Sequence, residues 1–425
     1  MGNALQQRGR LEKALTAYNK ALSIKPDYAD AWSNGAETLE HWNKIDELEI
    51  WLDKAFNSFD TIPADLNLLR AKLSWRKRRY EEAFYLISNI KFETISDIRK
   101  QDYLQLRGKC FEKSGKFKEA YDCFAHSNLL IKKTKEYLTF NSENYFQNSK
   151  DNLIKLKSER YKKPLPLSVE NSGFSPTFLV GFPRSGTTLL DTILRSNSKI
   201  SIVEEQPMLT AAENFLNQNS YYDFAGQIIP KSINIEARKI YVEEFKKHIK
   251  KVERDTVYID KLPLHLFKAP LINQLFYDAK FILVLRHPMD SILSCWMQNF
   301  KLNSAMVNMV DLDRIVDFYC IAMETFKICK KNYNLNVQEI RYEDLINNLQ
   351  TETEAVLKFL NLYWEPEMEN YIETALMRGQ ISTPSYSQVV QPIYKDAQYR
   401  WLNYKKYLEK YLDKIKPWIL EFGYE

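Results

Sequence analysis

The stretch T-F-L-V-G-F-P-R-S-G-T-T-L-L, residues 177–190, narrows the possible folds of this chain more than any other. Thr177, Phe178, Leu179 and Val180 form a short β-branched and aromatic run, the pattern of a buried parallel strand. Gly181, Pro183 and Gly186 break that run, and from Thr187 the spacing predicts the first turn of an amphipathic helix. Strand, glycine-bearing loop and helix N-terminus in succession make an anion site, because the loop N–H groups and the helix dipole point at its occupant. The two glycines fit the frame of a phosphate-binding loop, G-x-x-x-x-G-K-[ST], with Thr187 where that frame has lysine. The nearest cation is Arg184, inside the loop. Such a loop suits a group less highly charged than a magnesium-bound triphosphate, held by amides, hydroxyls and one guanidinium. A plain glycine turn joining strand to helix is the alternative until the neighbouring segments are considered.

Downstream, strand-like and helical runs alternate, which predicts a parallel α/β sheet with strands at 177–180, 256–259, 280–285 and 337–341. Polar residues end most of these runs, at the carboxyl edge where ligand sites of such sheets form. I-S-I-V-E-E brings Glu204 and Glu205 to that edge; adjacent carboxylates are expected to diverge, one inward and one solvated or salt-bridged. T-V-Y-I-D-K supplies Asp260 and Lys261. Asp260 is a magnesium ligand if this strand works as in nucleotide hydrolases, whereas Lys261 is otherwise the missing cation delivered from a neighbouring strand. His265 is a spare candidate base, or a structural residue at a helix start. In K-F-I-L-V-L-R-H-P-M-D-S-I-L-S, Arg286 ends an apolar strand, Pro288 suits the first helical position, and Asp290 complements the dipole. Ser294 lies two turns on, so that Arg286 and Ser294 make a second phosphate clamp. R-Y-E-D-L puts Tyr342 at another strand end, and the polar loop 383–394, with Ser385, Ser387 and Gln388, precedes Arg400 and Trp401.

The first 130 residues repeat. Gly108, Phe111, Gly115, Ala120 and Phe124 occupy the relative positions used by tetratricopeptide repeats, as do Gly2, Leu5, Gly9, Ala14, Tyr18, Ala21 and Pro26. Two weaker copies lie between them, and Ala14, Leu48, Ala83 and Ala120 are 34, 35 and 37 residues apart. This region resembles a tetratricopeptide array, which implies helix pairs stacked into an all-α solenoid and a possible protein or peptide partner. Gly2 falls within the first helix of its unit, so the sequence is expected to start inside a repeat. Trp32, Trp42, Trp51 and Trp75 are assigned to the inter-helix core, and the basic run 76–79 to a solvated face. Residues 131–172 are expected to hold a capping helix and a linker, with the second domain at 173–425.

Charge gives no nucleic-acid or membrane surface: residues 1–150 hold 25 Lys+Arg against 21 Asp+Glu, leaving 35 and 34 of the 60 and 55 for the rest. No apolar run is long enough to span a membrane, no signal-peptide core is present, and the five cysteines are scattered. No metal site is legible, and a cytoplasmic location is expected.

The P-R-S-G-T-T loop, the R-x-P-x-D-x-x-x-S segment, the R-Y-E-D-L strand end and the late serine loop together resemble sulfotransferases that use 3′-phosphoadenosine 5′-phosphosulfate. The likeness is to the tyrosylprotein sulfotransferase branch and its bacterial relatives, which are often fused to tetratricopeptide repeats, and it spans about residues 174–405. It implies an α/β P-loop-like sheet and a nucleotide donor with a hydroxyl acceptor: a protein tyrosine, a glycan or a small molecule. The resemblance assigns the 5′-phosphosulfate to Arg184, Ser185, Gly186, Thr187 and Thr188, and the 3′-phosphate to Arg286 and Ser294. Tyr342, Ser387, Gln388 and Arg400 close over the nucleotide. Glu205 is the implied general base, with Arg184, Lys261 and Ser385 assisting transfer. Arg400 and Gln391 stand where the animal enzymes have lysine, and Gln298 where they have arginine. The peptide-recognition residues of those enzymes have no counterpart that can be mapped here. A P-loop kinase or nucleotide hydrolase, and a repeat scaffold with a non-catalytic nucleotide domain, are the competing readings.

Overall fold

The computed structural model describes the chain except residues 142, 159–173, 222–228, 250–252, 254, 378–388 and 391–396. It divides into two compact units, Met1–Leu138 with the short segment Met297–Lys301, and most of the remainder.

The first unit is four helix pairs: α1 (Gly2–Gln7) with α2 (Leu11–Ile24), α3 (Ala29–His41) with α4 (Ile45–Phe56), α5 (Ala64–Arg76) with α6 (Tyr80–Ser88), and α7 (Lys100–Lys113) with α8 (Phe117–Lys132). Ala14, Leu48, Ala83 and Ala120 are each the fourth residue of a second helix, and all are buried. The period is also written in the backbone. Gly9, Asn43, Arg78 and Gly115, two residues before each second helix, all have left-handed φ values of 70°, 55°, 60° and 74°. In every unit that residue's N–H donates three positions back and the next N–H five positions back, the bond pair that closes a helix C-terminus. A methyl group on Gly2, Gly35 or Gly108 would collide with the ring of Tyr18, Trp51 or Phe124, so close helix approach fixes those glycines. Ala71 and Ile87 fill the corresponding places in the third pair, both fully buried.

Trp32 and Trp51 lie in the core as expected, edge to face at 5.0 Å. The basic run departs from expectation. Arg78 forms the turn, Arg76 Nη2 donates to Asn43 Oδ1 at 2.7 Å and Lys77 pairs with Glu49, so the run braces adjacent helix pairs.

The stretch expected to cap the array divides at Leu138. Beyond α9 (Lys135–Asn141), α10 (Tyr145–Lys157) packs in the second unit, where Tyr145 and Phe146 meet Phe318 at 6.0 and 6.4 Å and Arg314 lies over Phe146.

The second unit holds a parallel sheet of β1 (Thr177–Gly181), β2 (Ile200–Glu204), β3 (Val257–Lys261), β4 (Lys280–Leu285) and β5 (Asn336–Arg341), ordered β2-β3-β1-β4-β5. β2 was not among the strands read from the sequence; it is a short edge strand, with Ser201 and Glu204 interrupting its apolar residues. β1 is buried throughout, and Phe178 stacks on Phe281 at 5.6 Å. The connection from β1 runs to β2 on one side of it and the connection from β3 crosses to β4 on the other, so the segment after Gly181 sits at a topological switch point, where open α/β sheets bind ligands. The helix that follows, α11 (Thr187–Leu194), is buried on every side, its polar face included. The remaining helices include α12 (Met208–Gln218), α13 (Lys231–Lys246), α14 (Ala269–Leu275), α15 (Pro288–Trp296), α16 (Leu312–Tyr333), α17 (Tyr342–Asn347) and α18 (Leu349–Phe359).

Candidate active site

The loop between β1 and α11 is tight because its glycines allow nothing larger. A Cβ on Gly181 would lie 2.6 Å from Ser185 Oγ and 2.7 Å from Val284 O. Gly186 has φ +105°, and a Cβ there would meet Tyr342 Cδ2 at 2.6 Å. Arg184 is also left-handed, at φ 68°. Its Nε donates to Ser294 Oγ at 3.1 Å, and its carbonyl accepts from Arg286 Nη1 at 3.0 Å. The loop is therefore tied directly to the pair expected to clamp a second phosphate. Ser185 Oγ and Arg286 Nε are buried without a hydrogen-bond partner among the described residues. A buried hydroxyl and a buried guanidinium N–H left open around a glycine cradle fit an anionic ligand with oxygen acceptors.

On the β3 side, Lys261 is fully buried, and its ammonium donates to three acceptors: Glu205 Oε1 at 2.8 Å, Glu204 Oε1 at 3.0 Å and Thr188 Oγ1 at 3.4 Å. The two carboxylates converge where divergence was expected. Glu205 is left-handed at φ 50°, and its N–H donates to the Lys261 carbonyl at 2.8 Å. That turn ends the strand alternation and brings both side chains to one ammonium. Burial by itself pushes the Lys261 ammonium down, but Glu205, Glu204 and Asp191 outweigh it and hold the proton more tightly than in an ordinary lysine.

On the β4 side, Arg286 also donates from Nη2 to Ala397 O at 2.6 Å and lies over the Tyr342 ring at 5.1 Å. Trp401 N–H donates to Asp290 Oδ1 at 2.8 Å, which places Arg400 beside the start of α15. Burial pushes the Asp290 carboxyl up to about 6, against the pull of Arg286. His287 stacks on Trp401 at 5.4 Å; burial first, then the Arg286 charge, pushes it down to about 4. The His287 backbone N–H donates to Glu343 Oε1 at 3.0 Å, and Tyr424 Oη donates to Glu343 Oε2 at 2.6 Å. Glu343 and Tyr424 were not singled out from sequence; only the R-Y-E-D-L run hinted at the first.

Arg184, Ser185, Gly186, Thr187, Thr188, Lys261, Arg286, Ser294 and Tyr342 therefore surround the loop after β1. Ser385, Ser387, Gln388, Gln391 and Tyr394 lie outside the described residues. Asp260 does not face the loop. It points from the opposite face of β3, accepts from Tyr241 Oη at 2.8 Å and lies 3.4 Å from His265 Nε2. This geometry removes Asp260 from the role of magnesium ligand beside the loop, and His265 from that of spare base. Among the described residues, no group of three His, Cys, Asp or Glu could hold a metal, and no helix is long and apolar enough to cross a membrane.

Residues 176–366 match the model of the sulfotransferase family, and residues 2–40 that of the TPR repeat. The second unit carries a sulfotransferase-family domain. Sulfotransferase likeness extends to proteins of animals. Protein-tyrosine sulfotransferase A of Caenorhabditis elegans is 21% identical over 58% of this chain and 67% of its own length. Protein-tyrosine sulfotransferase 2 of Gallus gallus is 22% identical over 63% of this chain and 71% of its own. An uncharacterized protein of Aquifex aeolicus (strain VF5) is 26% identical over 57% of this chain, but the match takes in only 35% of that relative's length. The sulfotransferase domain from the curacin biosynthetic pathway aligns with 54% of this chain and 90% of its own, at 19% identity and a TM-score of 0.34.

Proposed function

We propose that this protein transfers a sulfuryl group from 3′-phosphoadenosine 5′-phosphosulfate to an acceptor hydroxyl. The observation that carries this reading is the Lys261 ammonium, buried beside the glycine loop and shared by Glu204 and the more exposed Glu205. The loop residues Arg184 to Thr188 are the proposed cradle for the 5′-phosphosulfate, with Ser185 Oγ open to it. Arg286 and Ser294 receive the 3′-phosphate, and Tyr342 and Arg400 line the nucleotide, together with Ser387 and Gln388.

The reaction is an in-line displacement. The acceptor oxygen forms a bond to sulfur as the bond from sulfur to the phosphate oxygen breaks, and the acceptor proton passes to Glu205. Charge accumulates on the departing phosphate, by analogy with phosphoryl transfer, and Arg184 and Lys261 are the proposed groups that stabilise it, with Ser385 in an assisting role. Each such preorganised donor contributes on the order of 3 kcal/mol, and a positioned base about 10²–10⁴-fold. A cytoplasmic setting accords with the five free cysteines. The repeat unit offers a surface for a protein or peptide partner.

The test is incubation with sulfur-labelled donor and a panel of tyrosine peptides, glycans and small hydroxyl compounds. Label should reach at least one class, and Glu205→Gln should abolish transfer while the protein still binds the nucleotide product. Undiminished transfer by Glu205→Gln would remove Glu205 as the base.

A further inference from the structure

Glu204 has no part in the chemistry just described, yet it holds the same ammonium as the proposed base. It ends β2 directly opposite Lys261 in the parallel register, and its carboxylate lies 3.0 Å from Nζ. The two carboxylates differ in access: the Glu204 side chain is 8% exposed and that of Glu205 35%. Glu205 can reach an acceptor; Glu204 is confined beneath it. All three ammonium hydrogens are accounted for by Thr188, Glu204 and Glu205. When Glu205 gains a proton, one of the two anions hydrogen-bonded to Lys261 is lost.

We propose that Glu204 is a positioning residue that keeps Lys261 charged and aimed at the loop while Glu205 exchanges its proton. A buried ammonium left with too few anions sheds its own proton. The charged groups that face Lys261 are Glu204 at the end of β2, Glu205 just beyond it and Asp191 on α11, whose carboxylate is also held by Arg195 at 2.5 Å. Asp191 is committed to that second cation, so Glu204 is the anion whose charge serves Lys261 throughout the cycle. This inference takes the role of Glu205 from the proposed function, whereas the hold of Glu204 on Lys261 stands on geometry alone.

The experiment compares the wild type with Glu204→Gln and Glu204→Asp by ¹⁵N NMR titration of the Lys261 ammonium, alongside the pH profile of sulfuryl transfer. Glu204→Gln should move both the ammonium titration and the alkaline limb of the rate to lower pH by about one unit or more. Glu204→Asp, which keeps the charge, should restore most of the shift. A residue that only supports the fold would lower stability and leave both midpoints in place, and that result overturns the inference. If Glu204→Gln does not fold, the NMR midpoint of Glu204→Asp decides: a smaller shift in the same direction supports the inference, and none refutes it. Should Glu205→Gln retain full turnover, the proposed base is wrong, and the NMR titration alone still judges Glu204.

Discussion

Tyr424 Oη donates to Glu343 Oε2 at 2.6 Å, while the other oxygen of that carboxylate accepts the N–H of His287 at 3.0 Å. The next residue back is Arg286, whose side chain holds the Arg184 carbonyl. Tyr424 thus braces the backbone beside Arg286, the proposed ligand of the 3′-phosphate, through one buried carboxylate. Tyr424→Phe should weaken binding of 3′-phosphoadenosine 5′-phosphate by about three- to tenfold, a part of the roughly 1.5–3 kcal/mol of a hydrogen bond to a charged group, because the bond reaches Arg286 only through Glu343 and the backbone. Calorimetric titration measures this, with circular dichroism to show that the fold persists.

Gly186→Ala should damage the loop in two ways. The residue has φ +105°, and an added Cβ meets the Tyr342 ring. Left-handed strain of about 1–2 kcal/mol then adds to the steric displacement. Loss of nucleotide binding larger than loss of thermal stability is the expected pattern, read by titration and by melting.

The glycines of the repeat unit separate the same two costs. Gly115 has φ +74° and open space around it, so Gly115→Ala should cost about 1 kcal/mol from backbone strain. Gly35→Ala drives a methyl into the Trp51 ring and should cost about 1–3 kcal/mol from overpacking. Denaturant unfolding of the two variants gives both numbers.

Asp290 and His287 make opposing pH terms. The buried Asp290 carboxyl titrates at about 6 rather than 3.8, so its contribution is fully present below pH 3.8 and lost as pH rises through 6. The buried His287 titrates at about 4 rather than 6.5, so its contribution is present above pH 6.5 and lost as pH falls through 4. Between pH 4 and 6 the two slopes cancel in the wild type. Asp290→Asn removes one of them: the variant should be more stable than the wild type near pH 7, by up to about 2 kcal/mol, with the gap closing toward pH 4. A gap that does not change with pH in equilibrium unfolding would contradict this.

Much of the site was legible because its chemistry sits in contiguous motifs at strand ends. Arg184, Lys261, Arg286, Ser294 and Tyr342 come together because each of their segments ends at the same sheet edge or in the helix beyond it. What escaped reading depends on backbone sign or distant partners. The convergence of Glu204 and Glu205 follows from φ 50° at Glu205, which strand alternation does not foretell. Asp260 and Lys261 part to opposite faces of β3, so that Lys261 and not Asp260 lies beside the loop, which the D-K pair left open. Tyr424 reaches Glu343 across 81 positions, and no local pattern marks that pairing. In the repeat unit the left-handed turn persists at Asn43 and Arg78 although glycine does not, so the third and second units looked weaker in sequence than they are in backbone.

Calorimetric titration with 3′-phosphoadenosine 5′-phosphate in the presence of a metal chelator tests the central claim most directly. The account predicts saturable one-to-one binding without metal, weakened about ten- to a hundredfold by Arg286→Ala through loss of its charge-assisted bonds. Binding of ATP with magnesium but not of the bisphosphate, or unchanged bisphosphate affinity in Arg286→Ala, would contradict it.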